Sequence, residues 1–383
     1  TGKEVRLIAA ELESDLLANF RKQFVSKNDI LIEMVDWDTW RTDMVKKFSG
    51  FKKESQNILT RYRKKVFTEA VNDFEKSYKF GINLVTKQTA KFKLPSKGKL
   101  PKFNKNDRVL AELKKLTEYL DNSYKVAMNS LETQFFQTIQ KAQFLKDKRG
   151  IKTLFQAIDM ANRDLIQTGI VGAITSDNRR LNIANQIEMT IVETSQEIMF
   201  IGEATKSEDL GIYTVYISQH ASSCPLCTPW QGKVLIDDVY MDGKPDGKHE
   251  LLSTAIKAGL FHYNCRHNRI TYIEGIDVIP DSEKNALKGM SKAQQHALYK
   301  AEQELRYNER MIRQWKRAQL LATSLPEQEK AAAKVREWQS RNRALVKQTD
   351  GLFRNYWREK PGFKVPKDVR WRNLKHDKQL FEQ

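Results

Sequence analysis

Helical periodicity through most of the first 210 residues limits what this chain can fold into. Residues 3–89 are rich in helix-forming residues, and large apolar side chains recur there at intervals of three and four, as on one face of a helix. The clearest run is Ile30, Met34, Trp37, Trp40, Met44 and Val45. The segment therefore predicts long helices that each bury one face.

The helical pattern resumes after a basic linker. Asn106 or Asp107 can accept hydrogen bonds from the free amide groups at the start of the next helix. The apolar stripe of that helix is Leu110, Leu113, Leu120, Tyr124, Leu131, Phe135 and Ile139. Two further helical stretches are predicted over residues 151–168 and 177–203, and Gly211 ends the second. The first 210 residues are thus predicted to be all helical.

A small mixed module is predicted to follow the helices. Residues 213–217, 233–236 and 269–273 are rich in β-branched and aromatic side chains, and such short runs favour strands. A loop rich in glycine and proline lies between the second run and the third. The module is predicted to end near Pro280.

Helices return over residues 291–350, split where Ser324 and Glu327 have the spacing of a capping box. Beyond residue 350, Trp357 and Trp371 follow no clear period and predict an extended tail that docks through aromatic side chains. The predicted fold class is mainly α: long helices, with a small α+β module that contains the Cys/His residues inserted before the C-terminal helices. The predicted segments are 1–90 (N-terminal helices), 91–107 (basic linker or arm), 108–210 (helical domain), 211–280 (Cys/His module), 281–350 (C-terminal helical pair) and 351–383 (tail).

The chain is strongly basic. Lysine and arginine total 66 against 48 acidic residues, which gives a formal net charge of +18. Such a charge favours polyanionic partners, and double-stranded DNA bound without sequence preference is the first candidate. In the arm, which holds no acidic residue over residues 91–105, the predicted DNA contacts are Lys97, Lys99, Lys102 and Lys105.

A second basic feature lies on the first C-terminal helix. Four arginines follow the spacing i, i+4, i+7 and i+11 and so share one face of the helix. They are Arg306, Arg310, Arg313 and Arg317. The stripe could neutralise DNA phosphates or acidic side chains, and a solvated face of mixed charge is an equal alternative because Glu302, Glu304 and Glu309 interleave with it.

The module gathers the residues that could bind a metal. All three cysteines and four of the six histidines lie between His220 and His267. Cys224 and Cys227 form a Cys-x-x-Cys knuckle whose two thiolates can meet one tetrahedral ion, and Cys265 with His267 offers a second pair. Sulfur and imidazole donors suit a structural zinc ion.

His267 is the preferred fourth ligand, with two other histidines as alternatives. His267 would lie on the same side of an extended segment as Cys265, but His262 would suit a turn equally well. His220 is a more distant alternative. The competing interpretation is that the cysteines are reduced core residues and the histidines are merely hydrogen-bonded.

Catalytic signatures are weak. The residue two after His220 is Ser222, and Ser223 precedes Cys224, so the His-x-Glu and Pro-Cys-x-x-Cys pattern of zinc deaminases fails. No phosphate-binding or dinucleotide-binding glycine loop is present. The polar and small residues that flank the cluster are predicted to shape and brace the module: Trp230, Gln231, Gly232, Asn264 and Arg266.

The module also resembles a known family. The segments His220, residues 227–233, residues 259–260 and residues 264–267, with Gly275 beyond, resemble the phage minor capsid proteins, within the wider Mu F-like head-morphogenesis group. In that alignment His262, Cys265 and His267 take the positions of the His-Pro-x-Cys-Arg-Cys signature, with Tyr263 where proline is usual. The resemblance implies a virion protein encoded near the portal, and it supports Cys224, Cys227, Cys265 and His267 as the metal set.

The predicted function is therefore structural: a minor capsid protein of a tailed bacteriophage that aids head assembly, DNA packaging or ejection. Its expected partners are the portal protein, the major capsid or scaffolding protein and packaged DNA, with no membrane contact. It would be made in the host cytoplasm and carried inside the head or at the portal vertex. The alternatives are a metal-dependent, nuclease-like DNA-processing enzyme and a host-directed effector injected with the genome.

Overall fold

The computed structural model describes residues 3–24, 37–149, 154–262, 265–276, 279, 281–323 and 325–359. Helices dominate these ranges, as predicted. The α-helices are α1 (Lys3–Phe24), α2 (Trp37–Thr89), α3 (Asp107–Arg149), α4 (Leu154–Ala161), α5 (Arg163–Thr168), α6 (Ile183–Asp209), α7 (Leu252–Lys257), α8 (Asp281–Lys284), α9 (Lys292–Leu321) and α10 (Leu325–Gln348).

The strands form a hairpin and a four-stranded sheet. The hairpin pairs β1 (Val171–Ile174) with β2 (Arg180–Asn182). The sheet contains β3 (Thr214–Ile217), β4 (Val234–Ile236), β5 (Glu250–Leu251) and β6 (Arg269–Tyr272) in the order β5-β4-β3-β6. β3 pairs antiparallel with both β4 and β6, and β5 joins β4 in parallel. The mixed module before the C-terminal helices is thus confirmed.

The all-helical prediction for the first 210 residues is wrong at one place. Residues 171–182 form the β1–β2 hairpin, where Asn178 takes a left-handed conformation with φ of 62°. α6 starts at Ile183 rather than near residue 177, because the Asn182 side chain accepts hydrogen bonds from the amides of the next turn. Strands of three and four residues are too short to show a period against neighbouring helices.

Several predicted features fall outside the described residues. Ile30 and Met34 of the first apolar run, Asn264 of the bracing set, the capping residue Ser324 and Trp371 of the predicted tail are among them. The other proposed cap is observed, since Asn106 Oδ1 accepts from the backbone amides of Arg108 at 3.0 Å and Val109 at 3.3 Å.

In the described residues, the larger of two apolar cores joins the N-terminal helices to the module, and a smaller one contains Leu298, Leu305 and Leu352. Buried apolar residues of α1, α2, α3 and α6 pack with Val215 of β3, Leu235 of β4 and Trp230 of the intervening loop. Among the described helices, none contains a stretch long and apolar enough to cross a lipid bilayer.

The crossing of α2 and α6 depends on two glycines. A Cβ atom on Gly202 of α6 would overlap the carbonyl oxygen of Tyr78 on α2, and one on Gly81 of α2 would overlap the carbonyl oxygen of Met199 on α6. The obstacle in both cases is rigid helix backbone, so only glycine lets the helix axes approach this closely.

Gly202→Ala is expected to destabilise the protein by about 1–3 kcal/mol, because the two helices must separate to admit the methyl group. Gly50→Ala is the matched control: Gly50 is exposed within α2 with no atom near its Cβ position, so alanine should stabilise the helix by about 0.5–1 kcal/mol. Urea unfolding measures both, and equal effects of the two substitutions would contradict the close helix crossing.

A buried charged cluster joins the sheet to α6 and was not apparent in the sequence. Arg269 of β6 is about 1% exposed and forms ion pairs with Glu203 of α6 and with Asp237, which follows β4. Its guanidinium also donates to the carbonyl oxygen of Phe200 and lies 4.7 Å from the centre of the Tyr240 ring. Three segments of the chain therefore depend on one cation.

Candidate metal centre

Strand pairing brings the two halves of the Cys/His cluster together. The loop with Cys224 and Cys227 follows β3, and the segment with Cys265 and His267 precedes β6. β3 and β6 are antiparallel neighbours, and their pairing extends outward through the hydrogen bond from the Ser218 amide to the Asn268 carbonyl oxygen, 2.8 Å. The end of β3 and the start of β6 must therefore lie side by side.

The Cys-x-x-Cys loop is tightly wound. The carbonyl oxygen of Cys224 accepts from the amides of Cys227 at 3.2 Å and Thr228 at 3.0 Å, and the Thr228 hydroxyl donates to the same oxygen at 2.8 Å. The turn continues through the Trp230 amide, which donates to the Cys227 carbonyl oxygen. Such a turn holds two cysteine side chains three residues apart on the same side.

The donor atoms lie close enough to one another for a metal ion to bind between them. Cys227 Sγ is 3.5 Å from Cys265 Sγ, and Cys265 Sγ is 3.4 Å from His267 Nδ1. Cys224 Sγ is 2.9 Å from His262 Nε2. Ligands of one zinc ion are separated by about 3.8 Å between two sulfurs and about 3.6 Å between sulfur and nitrogen, given its bond lengths and tetrahedral angles. The observed spacings need only small adjustments.

Two overlapping groups of possible ligands result, and Cys227 belongs to both. One contains Cys224, Cys227 and His262, and the other contains Cys227, Cys265 and His267; the donor atoms within each group lie within 4.8 Å of one another. The four residues of the predicted set, and also His262, are thus divided between two groups of three that share Cys227, and in the described residues no group contains four of them. The choice between His262 and His267 as the fourth ligand is still open.

His220 lies against this cluster without joining either group. Its ring centre is 4.2 Å from that of His267, and among the described residues neither ring nitrogen has a hydrogen-bond partner. Burial, followed by the nearby His267 and Arg266, lowers the pKa of His220 to about 4. The imidazole is therefore neutral at physiological pH and packs as an aromatic ring against His267.

The three cysteine thiols differ in pKa because they form hydrogen bonds with one another and with the histidines. The hydrogen bond from Cys227 lowers the pKa of Cys265 to about 4, with His267 acting in the same direction, while that bond and burial raise the pKa of Cys227. The pKa of Cys224 is lowered because its hydrogen bonds, first with His262, outweigh burial. Thiolates next to imidazoles form the donor set that zinc prefers, since the ion requires deprotonated sulfur.

The bracing residues connect the cluster to α9. The Gln231 side chain lies 3.4 Å from His267 Nε2 and donates to Gln295 of α9 at 3.3 Å. Arg266 donates to the Glu302 carboxylate of α9 at 2.7 Å. Arg266 therefore braces the module through a carboxylate on a neighbouring helix.

Trp230 and Gly232 shape the turn itself. Trp230 is buried in the core, with the Lys233 ammonium 4.6 Å from its ring centre. Gly232 has a φ of 80°, which disfavours any side chain, and its amide donates to the Ile217 carbonyl oxygen at 2.8 Å. The loop thereby returns from the cysteine knuckle into β4.

The lysine side chains of the basic arm are exposed, but its backbone is held against the rest of the protein. Lys97, Lys99, Lys102 and Lys105 all face solvent. The backbone between them is held at the end of α6, where the Asp209 carboxylate accepts from the Ser96 hydroxyl at 2.8 Å and the Gly98 amide at 3.1 Å. Further along, the Tyr78 hydroxyl donates to the Pro101 carbonyl oxygen. The lysines are thus presented from a fixed loop.

The arginine stripe of α9 faces the protein more than solvent. Arg317 is buried and donates to the carbonyl oxygens of Ile166 and Gln167. Arg313 donates to the Arg358 carbonyl oxygen at 2.7 Å. Among the four arginines, Arg306 pairs with Glu309, and Arg310 is the exposed member. Helical spacing correctly gives a shared face, but acidic groups and carbonyl oxygens of the chain occupy most of it.

Comparison with known proteins identifies the family to which the chain belongs. The profile of the phage minor capsid protein 2 family matches residues 3–347. A structural protein of Lactococcus phage LL-H is 25% identical over 235 residues, 58% of this chain and 61% of the relative, and one of Lactococcus phage mv4 is 31% identical over 106 residues, 27% of this chain and 81% of the relative. The chain thus spans about three fifths of the length of the first relative. No solved structure matches significantly. Because the family profile covers nearly the whole chain, the protein belongs to the phage minor capsid protein 2 family and has a structural role in the virion.

Proposed function

We propose that this structural virion protein works without catalysis at the portal vertex, where its helices contact the portal protein and neighbouring capsid or scaffolding subunits, and its arm contacts packaged DNA. The observation that carries the proposal is the way the Cys/His cluster is built into the fold. Its side chains connect the sheet to α9 through Gln231 and Arg266. A cluster that links two parts of the fold stabilises the surface that other virion components can bind.

The donor set supports a structural rather than a catalytic metal. In the described residues, both candidate groups consist of cysteine and histidine alone, and they surround the shared, fully buried Cys227. Structural zinc sites use four such ligands, whereas catalytic ones keep one position for water or substrate. A bound zinc ion would hold the β3 and β6 ends together through Cys224, Cys227 and Cys265, with His262 or His267 as fourth ligand.

The location is tested by an asymmetric reconstruction of intact heads that carry this protein with a compact C-terminal tag. We expect tag density at the portal vertex alone. Tag density spread over the icosahedral faces would contradict a portal location, and absence of the protein from purified heads would contradict its role in the mature virion.

Replacing Lys97, Lys99, Lys102 and Lys105 by glutamine is expected to weaken DNA binding and to make its salt dependence shallower. Each phosphate contact releases counterions, so loss of four contacts should reduce the slope of log K against log salt by about 3–4. Titration of a labelled duplex over a range of salt concentrations measures both quantities.

The matched control also removes four lysine charges, but from exposed positions on α2 and α3. These lysines are Lys53, Lys64, Lys87 and Lys114. If the arm is the DNA contact, this control should lose much less affinity and slope. Equal losses in both variants would mean that net charge alone attracts DNA, and an unchanged arm variant would mean that the arm serves a protein partner.

A further inference from the structure

A small enclosed cavity lies where α1, the start of α6 and α9 meet. It is lined by Arg6 and Glu13 of α1, by Asn182, Ala184 and Asn185 at the start of α6, and by Arg313 and Arg317 of α9. The volume of the cavity is about 10 Å³. Such a space holds one water molecule or one ion of similar size and excludes phosphate or sulfate.

Positive charge exceeds negative charge around this cavity. Arg6 pairs with Glu188, and Arg317 lies 3.8 Å from Glu13. Arg313, in contrast, donates to a backbone carbonyl oxygen rather than to a carboxylate. Among the described residues, the charged groups around the cavity are Arg6, Arg306, Arg313, Arg317 and Arg358 with Glu13, Glu188 and Glu309. Within that set, five cations face three anions, so two positive charges have no carboxylate of their own.

One donor in the cavity wall has no partner among the residues that the structure describes. Arg6 is 4% exposed, and its Nε atom is buried with no hydrogen-bond acceptor in that part of the chain. A buried donor of a charged group without an acceptor costs free energy. Burial lowers the pKa of Arg6 to about 9, with the charges of Arg313 and Arg358 adding to the effect. The positive end of the α6 dipole also points toward this region and favours an anion there.

We propose that the cavity binds one small monatomic anion, chloride under physiological conditions, held mainly by Arg6 and Arg313. The anion would accept hydrogen bonds from both guanidiniums and offset the excess charge. It would also fasten the segment after α10 to α1, because Arg6 and Arg313 both donate to the carbonyl oxygen of Arg358. The packing of the C-terminal helices would then depend on halide.

Thermal unfolding at constant ionic strength tests the site, with chloride exchanged stepwise for gluconate, which is too large for the cavity. We expect a saturable rise of the unfolding midpoint with chloride, about 3 °C at a hundredfold excess over Kd. Arg313→Met should abolish the response. Arg310→Met, on the exposed side of the same helix, should keep it and so controls for general salt effects.

A direct readout does not depend on the folding of any variant. Crystals of the unaltered protein grown with bromide in place of chloride should give an anomalous peak between Arg6 and Arg313. Bromide density there, with the saturable midpoint shift, supports the site. A water molecule in that position, or an unfolding midpoint equal in chloride and gluconate for the unaltered protein, would overturn it.

Discussion

Replacing Arg269 by methionine is expected to destabilise the protein by about 3–5 kcal/mol, close to the limit of what a domain tolerates. Methionine fills much of the space but leaves the carboxylates of Glu203 and Asp237 buried with no cation between them. The loss comes mainly from these two enclosed acidic groups, each of which must either stay charged without a partner or take up a proton. Urea unfolding followed by circular dichroism measures it.

The pH dependence identifies the cause of the loss. Burial raises the pKa of Glu203 to about 8, against an ordinary value of 4.5, and Arg269 opposes that rise. A carboxyl whose folded pKa is raised takes up protons on folding, so its contribution to stability falls as pH rises from 4.5 towards 8. Without Arg269 the pKa should rise further, and a rise above 8 costs stability only near and above pH 8, where Glu203 of the unaltered protein ionises. The Arg269→Met variant should therefore be more impaired at pH 9 than at pH 7.

A double variant provides the control. Adding Glu203→Gln to Arg269→Met removes the acidic group that would ionise without a partner and should recover part of the lost stability, most clearly at pH 9. A single variant within 1 kcal/mol of the unaltered protein, or one whose loss is the same at both pH values, would contradict the assignment of Arg269 as the cation that holds β6, α6 and the end of β4 together.

Cys227→Ser is expected to remove essentially all bound zinc and to destabilise residues 217–272 by several kcal/mol. Cys227 belongs to both possible ligand groups, so its loss impairs the site whichever histidine is the fourth ligand. The binding free energy of a structural zinc ion contributes directly to folding, and a site with three ligands retains little of it. Elemental analysis measures the metal, and hydrogen exchange of the module amides measures the loosening.

Two comparisons make this result specific. Treating the unaltered protein with a chelator should reproduce the instability of Cys227→Ser, and the chelator should have no further effect on the variant. His262→Gln and His267→Gln then identify the fourth ligand, since only one should lower the zinc content strongly. If the unaltered protein carries no zinc and a chelator does not change its stability, then a metal ion does not stabilise the module.

The position of the cluster could be predicted because the residues of each ligand pair are close together in the sequence. Cys224 and Cys227 are three residues apart, and Cys265 and His267 are two apart, so each pair is close in any compact turn or extended segment. The flanking runs of β-branched residues also predicted the strands that bring the pairs together. The fourth ligand could not be chosen, because it depends on how one short loop returns to β6.

The buried charges could not be predicted, since their partners come from distant parts of the chain. Arg317 faces Glu13 of α1, and Arg269 faces Glu203 and Asp237. Helical spacing shows which arginines share a face but contains no information on what packs against that face. The same limit explains why the stripe on α9 suggested DNA phosphates when most of it meets carboxylates and carbonyl oxygens.

The most direct test of a structural rather than catalytic module compares Arg266→Ala with Glu302→Ala, which remove opposite ends of one ion pair. If the module only braces the fold, both should lower stability by no more than about 1 kcal/mol, reduce incorporation into heads to the same small extent, and leave infectivity per incorporated copy unchanged. An Arg266→Ala protein that is stable and fully incorporated but yields non-infectious particles, while Glu302→Ala particles stay infectious, would contradict the structural role.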